Sequence, residues 1–540
     1  MKLFVVVLAF PLWIQAQCLP DYSQQIVVAG YKEKTLPDSI SQFWHHKDII
    51  WDGIPGTSID KAYAELWKET SDTLIVAVID NGTDIDHEDL QGIIWKNTKE
   101  IPGNRKDDDG NGYVDDVHGW NFLGNHKGKS EIYGRLVSVR ILEEQGYFKS
   151  KGKQKSLDSI GELAKVSYEE DVQWIEGLQE YVEEVETDYQ KIRVDLANYF
   201  PEQHYSLEKL QTIDTLKYPE LGYAVRKLHE HITYEATPEW VEEVKIVLDI
   251  NRKYKLNSDF EDRKISKDNV NDLSDTKYGN ADIRPTSEYE DHGTGVSSII
   301  AGLRNNQKGG NGVVNQVKIM PIRAIPSDGD EYDKDVALAI RYAVDNGAKV
   351  VNMSFAKEFS PNVKFVEDAI RYAAKHNVLL VHAAGNENEN TDVKFSYPLD
   401  HDSNQVEIAS NFINVGAISL NMNRKFPAYF TNYGKQNVDL FAPGVDIYTA
   451  APNNTYDTGS GTSYASPIVA GIAAMIRLQY PELSAAQVRD ILMAFGNVYH
   501  IRVRVPGTKK KPEIPFSELS KSGKVVNAYN ALKMAAEMSK

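Results

Sequence analysis

The feature that most constrains the fold is an uninterrupted apolar run that ends in an acid. Every residue from Leu74 to Ile79 is apolar, and Asp80 follows directly. A strand with one face in water alternates apolar and polar residues, whereas a strand buried on both faces of a parallel sheet does not. The run therefore predicts a central strand of a parallel sheet. Ligands and catalytic groups collect at the carboxyl ends of such strands, and Asp80 stands at one.

Later segments repeat this character at Val317 to Ile322, Lys349 to Ser354 and Val378 to Ala384. Between them, apolar residues at helical spacing predict helices over Lys334 to Asn346 and Val363 to Lys375. Alternating buried strands and helices are typical of a doubly wound α/β domain. The predicted fold class is therefore α/β, with a doubly wound, mostly parallel sheet and flanking helices.

Residues 128–257 interrupt this pattern, because they are rich in Glu, Lys and Tyr and poor in Gly. Apolar residues recur every three or four positions from Asp171 to Tyr199, which predicts an amphipathic helix. Thr237-Pro238 has the cap and the first-turn proline of a second helix. We therefore predict four segments: a signal peptide (1–16), a first part of the α/β domain (17–127), a helical insertion (128–257) and the remainder of the domain (258–540). Residues 17–43 are predicted to be irregular, and residues 517–540 to form a closing strand and helix.

The N-terminus indicates export. Met1-Lys2 precede an apolar run from Leu3 to Ile14, and Ala16 supplies a small residue for cleavage, as in a signal peptide. The run is too short to span a bilayer, and no later segment is long and apolar enough. We therefore expect a secreted or periplasmic protein without a membrane span. Gln17 stands before Cys18 where lipidation signals usually have Gly, Ala or Ser, which favours plain secretion over a lipid anchor.

Composition excludes some classes of function. The chain has 540 residues and a formal net charge of −18, which argues against non-specific binding to nucleic acid. A single cysteine excludes an intramolecular disulfide. No glycine-rich phosphate loop and no histidine pair of the metalloprotease type occurs in the sequence, so no organic cofactor or zinc is expected.

A serine stands where glycines run into an apolar segment. The letters GSGTSYASP, from Gly459 to Pro467, precede IVAGIAAMI, which predicts a tight loop followed by a buried helix. Ser463 would lie at the helix N-terminus, where free N–H groups and the helix dipole favour negative charge. That position suits a nucleophile whose attack generates an oxyanion. A serine cap on an ordinary loop is the alternative, so the role of Ser463 depends on a base, an acid and an oxyanion donor elsewhere.

Three further segments supply those groups. They read VIDNGT around Asp80, DHGTGV around His292 and AAGNE around Asn386, each at a predicted strand end or helix start. With GTSYASP around Ser463, the chain resembles a subtilisin-like serine protease, from about residue 44 to 540 apart from the helical block. The order Asp, His, Asn, Ser matches the pattern of this family. Any one motif is weak, but four in this order form a specific signal.

The resemblance implies a role for each group. Ser463 would attack the scissile carbonyl, His292 would accept its proton, and Asp80 would orient the imidazole. Asn386 and the backbone N–H of Ser463 would bind the oxyanion. The segment that contains Met353, Ser354 and Phe355 would bind an extended peptide or protein substrate. The function expected is that of an exported serine endopeptidase, of the S8 peptidase family.

Departures from the family pattern are few. Ala356 stands where many relatives have Gly, which narrows the expected substrate groove, and Gly295 and Tyr464 replace a common His and Met. Too little chain lies between Ala16 and the first core strand for the usual inhibitory prodomain, so we expect no maturation by removal of one. A catalytically silent protein of the same fold, which binds or acts as a scaffold, is the alternative function. An esterase with the same triad is a third candidate function. A related serine-peptidase family uses glutamate as the base, and His292 disfavours membership of that family.

An acidic loop predicts a cation site. Asp107, Asp109 and Asn111 alternate, Gly112 permits a sharp turn, and Tyr113 and Asp115 follow, as in the first two-thirds of a calcium loop. The glutamate expected at the end of that loop is absent. We therefore predict structural Ca²⁺ bound by Asp107, Asp109, Asn111, Tyr113 and Asp115, with a hydrated acidic turn as the alternative.

Overall fold

The computed structural model describes residues 25–27, 37–149, 156–287, 290–402, 404–508 and 512–540. The predicted signal peptide and Cys18 lie outside these residues. The strands are β1 Gln25–Val27, β2 Leu74–Asp80, β3 Trp120–Asn121, β4 Val317–Arg323, β5 Val350–Met353, β6 Leu379–Ala383, β7 Phe412–Ile418, β8 Leu440–Pro443, β9 Ile447–Ala451, β10 Thr455–Gly459, β11 Val498–His500, β12 Arg502–Val503 and β13 Ile514–Pro515.

The α-helices are α1 Asp38–Ser41, α2 Ile59–Glu65, α3 Val137–Glu144, α4 Ser159–Asp195, α5 Leu207–Leu210, α6 Gly222–Thr233, α7 Pro238–Ile250, α8 His292–Ala301, α9 Asp333–Asp345, α10 Val363–Lys375, α11 Thr462–Gln479, α12 Ala485–Ala494 and α13 Ala528–Met538. Short 3₁₀ turns cover Trp44–His46, Glu88–Leu90, Pro219–Leu221 and Phe516–Glu518, and a π-helical turn covers Asn251–Lys255. None of the described helices is both long and apolar enough to cross a membrane.

A seven-stranded sheet organises the chain, in the order β3-β4-β2-β5-β6-β7-β8, and every neighbouring pair is parallel. Helices α8, α11, α12 and α13 pack in the apolar core on one face, and α9 and α10 in the core on the other. The prediction of a doubly wound, mostly parallel α/β fold with flanking helices is confirmed. Strand β2 lies near the middle of the sheet, so its carboxyl end, with Asp80, faces the crevice where such sheets bind ligands.

Several boundaries differ from those expected. The predicted irregular segment 17–43 contains β1, which pairs with β11, because three backbone-paired residues need little apolar pattern to form a strand. The closing strand predicted after residue 517 is reduced to isolated bridges of Val525 to Phe441 and Asn497. Helix α4 begins at Ser159, earlier than the periodicity suggested, because the Asp158 side chain caps it by accepting from Gly161 N.

The block between β3 and α8 carries helices α3 to α7. Of these, α4 to α7 share an apolar core of their own, which includes Val185 and Leu228, both fully buried. Its two ends meet. Leu136 N donates to Lys255 O over 3.0 Å, and the rings of Tyr133 and Tyr254 stack at 4.3 Å. The helices therefore leave the α/β part and return to it at nearly the same point.

Candidate active site

An acid and a histidine meet at the carboxyl edge of the sheet. Asp80 ends β2 with 3% of its surface exposed, and His292 is the first residue of α8. The distance from His292 Nδ1 to Asp80 Oδ1 is 2.8 Å. Because a carboxylate only accepts hydrogen bonds, the proton of the neutral ring lies on Nδ1. The Nε2 lone pair is then free to accept a proton from another group.

The pKa of His292 is raised. Burial by itself would lower the pKa of this ring, but the charge and hydrogen bond of Asp80 outweigh it, and the charge of Asp291 adds to them. Both carboxylates favour the imidazolium over the neutral imidazole. The site can therefore hold a proton on His292 while bonds to another group form and break.

Glycines allow α8 to start against the loop that follows β2. A β-carbon on Gly293 would lie 2.9 Å from Gly82 O, and one on Gly82 would lie 2.6 Å from Pro285 Cα. Asn81 Oδ1 also accepts from Gly293 N over 2.8 Å, which satisfies one of the free N–H groups at the helix start. The spacing of glycines around Asp80 and His292 is thus what permits their contact.

Ser463 is the second residue of α11 and lines the same cavity as Asp80 and His292. The volume of this cavity is about 570 Å³. Its carbonyl accepts from Ser354 Oγ over 2.8 Å. The Tyr464 ring lies edge-on to the His292 ring, with centroids 5.7 Å apart. The structure therefore brings the predicted acid, base and nucleophile to one cavity at the N-terminal end of a buried helix.

Asn386, which follows β6, has a fixed amide orientation. Its Oδ1 accepts from Thr462 N over 2.8 Å and from Thr462 Oγ1 over 3.0 Å. A flipped amide would place its NH₂ group against the backbone N–H, so Oδ1 has to face Thr462. The Nδ2 donor is left for the cavity, which Asn386 lines together with Ser463.

The predicted substrate segment reaches the cavity only in part. Ser354 and Phe355 line it, as does Ala356. Met353 does not, because it ends β5 fully buried in the core under α9 and α10. Strand alternation accounts for Met353 and Ser354, since neighbouring side chains point to opposite faces, whereas Phe355 lies beyond the end of β5.

A buried ion pair next to the site was not predicted. Arg323, the last residue of β4, pairs with Glu290, and both side chains are fully buried. Glu290 also accepts from Thr286 Oγ1 over 2.7 Å, and Arg323 donates to Arg284 O over 3.1 Å. The pair anchors the segment that leads to His292. The only signal in the sequence is the glutamate two positions before that histidine, and most glutamates are exposed.

The acidic loop brings together a partly different set of carboxylates. Oxygen atoms of Glu100, Asp107 and Asp109 lie within 4.8 Å of one another. Glu100 was missed from the sequence because it lies before the loop, and its Oε2 is buried without a hydrogen-bond partner. Asp115 is outside this group, since its carboxylate accepts from Asn104 N and Arg105 N.

Two other residues predicted for this loop have roles within it. Asn111 Oδ1 accepts from Tyr113 N over 2.8 Å, and Asn111 Nδ2 donates to Asp116. The Tyr113 ring packs against Trp120 and Tyr342. The three clustered carboxylates, one of which has a buried oxygen without a hydrogen-bond partner, fit a site for a hard cation. Such a cation prefers oxygen ligands and would offset the repulsion between the carboxylates.

Comparisons with known proteins show which family the chain is similar to. The family model described as "Subtilase family" matches residues 71–495. The chain is 36% identical to Subtilisin DY of Bacillus licheniformis over 202 residues, which are 37% of this chain and 68% of that one. It is also 36% identical to a Thermophilic serine proteinase of Bacillus sp. (strain AK1) over 208 residues, 38% of this chain and 46% of that one. A crystal structure of a cold adapted subtilisin-like serine proteinase covers 48% of this chain and 79% of its own, at 25% identity and a TM-score of 0.36.

Proposed function

The chain belongs to the subtilase family of serine-type endopeptidases, and from that premise we propose that it is an exported enzyme with Asp80, His292 and Ser463 as its catalytic triad. The single observation that carries the proposal is the 2.8 Å contact of His292 Nδ1 with Asp80 in the cavity that Ser463 lines. Those three residue types in that arrangement are what acyl transfer by a serine requires.

The chemistry follows from the positions of the groups. Ser463 Oγ attacks the carbonyl carbon of the peptide bond while its proton passes to His292 Nε2. Asp80 stabilises the imidazolium that forms, and His292 then gives the proton to the leaving amine. Water enters, loses a proton to His292 and releases the acyl group from Ser463 by the same steps in reverse.

Negative charge develops on the carbonyl oxygen during both attacks. We assign the Asn386 Nδ2 group and the Ser463 backbone N–H as its donors, because Asn386 is held by Thr462, next to the nucleophile. The N-terminal end of α11 adds its partial positive charge at the same place. Preorganised donors of this kind need no reorganisation when the charge appears.

The experiment that tests the triad compares Ser463→Ala with Ser71→Ala, an exposed serine upstream of β2. We expect wild type and Ser71→Ala to hydrolyse a fluorogenic peptide and to be labelled covalently by a fluorophosphonate probe, and Ser463→Ala to do neither. Hydrolysis by Ser463→Ala would refute the assignment of the nucleophile. A wild-type chain that neither cleaves nor is labelled would favour a silent protein of the same fold.

Structural Ca²⁺ and export are further parts of the proposal. Glu100, Asp107 and Asp109 would hold the cation, and their oxygen atoms supply the ligands it prefers. Export rests on the apolar N-terminal run, and the mature chain would begin at Gln17. N-terminal sequencing of the protein recovered from outside the cytoplasm tests this, and a chain that still begins at Met1 would contradict it. We also retain residues 128–257 as a helical insertion in the catalytic domain.

A further inference from the structure

A second cavity, of about 250 Å³, adjoins the catalytic cavity. Five residues line both: Leu136, Lys255, Asp330, Ala356 and Glu387. The two spaces are therefore continuous along one wall. Glu387 directly follows the proposed oxyanion donor Asn386, so the second cavity starts beside the carbonyl that would be attacked.

The helical insertion supplies the outer wall of this cavity. Ser167, Asp171 and Trp174 line it from one face of α4, at a spacing of four and three residues. Two contacts hold that wall against the α/β part. Ser167 Oγ donates to Glu358 Oε2 over 2.7 Å, and Lys255 Nζ lies 2.7 Å from Asp328 Oδ1.

The lysines that line the cavity are already neutralised. Lys255 pairs with Asp328, as above, and Lys394 Nζ lies 3.2 Å from Glu358 Oε1. Lys357 Nζ lies 2.8 Å from Asp333 Oδ1 and is buried. Each of these cations has a carboxylate within ion-pair distance, so none is left to attract an anionic ligand.

Three carboxylates of the lining lack such a partner. Within the described ranges, Asp171, Asp330 and Glu387 form no ion pair with Lys, Arg or His. Asp330 accepts from a backbone N–H, and Glu387 from the Asn432 amide over 2.7 Å. Burial and the charge of Asp330 outweigh the lowering effect of Lys255 and Lys394, and the pKa of Asp171 is raised to about 6. The cavity therefore has a deficit of positive charge.

We propose that this cavity binds the positively charged side chain, lysine or arginine, of the substrate residue that precedes the scissile bond. The inference rests on the proposed function and names its substrate class. The residue whose carbonyl lies at Asn386 and Ser463 is the one that precedes the bond, so its side chain starts next to Glu387. A cationic side chain there meets Glu387 first and Asp171 of the insertion deeper in the pocket. Asp171 and Glu387 are thus the specificity-determining residues.

The test uses two peptides that differ only at the residue before the cut, lysine in one and norleucine in the other. Norleucine has the same length but no ammonium group, so the ratio of kcat/KM values reports the charge alone. We expect wild type to prefer lysine by about tenfold or more, the range of a hydrogen bond to a charged group. Asp171→Asn and Glu387→Gln should each lower the ratio, mainly through slower cleavage of the lysine peptide.

Two further variants separate specificity from structure. Asp171→Glu should keep the preference for lysine, and Glu176→Gln, an exposed acid on the same helix, should leave it at the wild-type value. A wild type that prefers norleucine, or an unchanged ratio in both Asp171→Asn and Glu387→Gln, would overturn the inference. If wild type is labelled by a fluorophosphonate yet shows no preference, only the inference fails. If it is neither labelled nor active, the proposed function fails and the inference with it.

Discussion

Replacing Asn386 tests the electrostatic part of the mechanism separately from the triad. The two polar atoms of the Asn386 side chain have different roles. Oδ1 accepts from the backbone N–H of Thr462, and Nδ2 faces the cavity. Asn386→Ala removes both, whereas Asn386→Asp keeps an acceptor for Thr462 and removes only the donor. A comparison of the two variants therefore separates catalysis from stability.

The magnitudes follow from these contacts. One of the two proposed oxyanion donors is lost in either variant, which should cost about 2.7–4 kcal/mol of transition-state stabilisation, or about 10²–10³ in kcat. In Asn386→Ala the Thr462 N–H also loses its partner, which costs about 1–3 kcal/mol of folding stability. Asn386→Asp should be at least as slow, since its second oxygen would repel the oxyanion, yet it should melt near the wild-type temperature.

The assay measures kcat and KM on one peptide, together with the melting temperature. We expect kcat to fall in both variants with little change in KM, because the donor acts on a charge that the bound substrate does not yet carry. Asn198→Ala, an exposed asparagine in the insertion, is the control. Unchanged kcat in Asn386→Asp would refute the assignment of Nδ2 as an oxyanion donor.

Three other changes have defined outcomes. Asp291→Asn removes a charge that raises the pKa of His292, so the acid limb of kcat/KM should move to lower pH, and a shift to higher pH would contradict this. Glu290→Gln leaves the Arg323 guanidinium buried and unpaired, which should cost about 3–5 kcal/mol of stability and lower the melting temperature. Replacing both residues of that pair by apolar ones should recover much of the loss. Added Ca²⁺ should raise the melting temperature and EDTA should reverse it, with a weaker response in Glu100→Gln; no response in wild type would exclude the cation site.

The cavity proposed for a basic side chain also predicts a pH dependence. Because the pKa of Asp171 is about 6, its carboxylate is charged above that pH and increasingly neutral below it. The preference for lysine over norleucine should therefore decline as the pH falls through about 6. The ratio removes any common effect of His292, since both peptides use the same base. A ratio that stays constant from pH 8 to about pH 5 would contradict the role of Asp171.

Sequence patterns predict this fold best where a segment is buried on both sides. Strand β2 and helix α10 have the bounds expected, because their apolar patterns are set by cores on the faces of the sheet. Strand β7 was missed, since Asn414 and Gly416 interrupt it. The neighbouring strand β8 explains why position 416 is a glycine, because a β-carbon on Gly416 would lie 2.4 Å from the Phe441 ring. Packing between segments that are distant in sequence cannot be predicted from the sequence of either segment alone.

The site shows the same division. Asp80 and His292 stand in recognisable motifs, although 212 positions separate them in the chain. No motif marks Asp171, because it is one of many acidic residues on a charged helix. Its proposed role can be recognised only from the cavity that it lines. The roles of Glu100 and Arg323 could not be predicted either, since a buried charge is recognised from its partner in the structure and not from its neighbours in sequence.

The meeting of the two ends of the proposed insertion, at Leu136 and Lys255, has a consequence for how the enzyme folds. Closing a flexible loop of that length costs about 4 kcal/mol of chain entropy. An insertion that folds around its own core, with Val185 and Leu228 at its centre, closes this loop by itself. To the rest of the chain it then behaves as a connection only a few residues long, which favours rapid folding because contact order falls. The rate at which catalytic activity returns after denaturation would therefore depend on side chains in a core that the substrate does not touch.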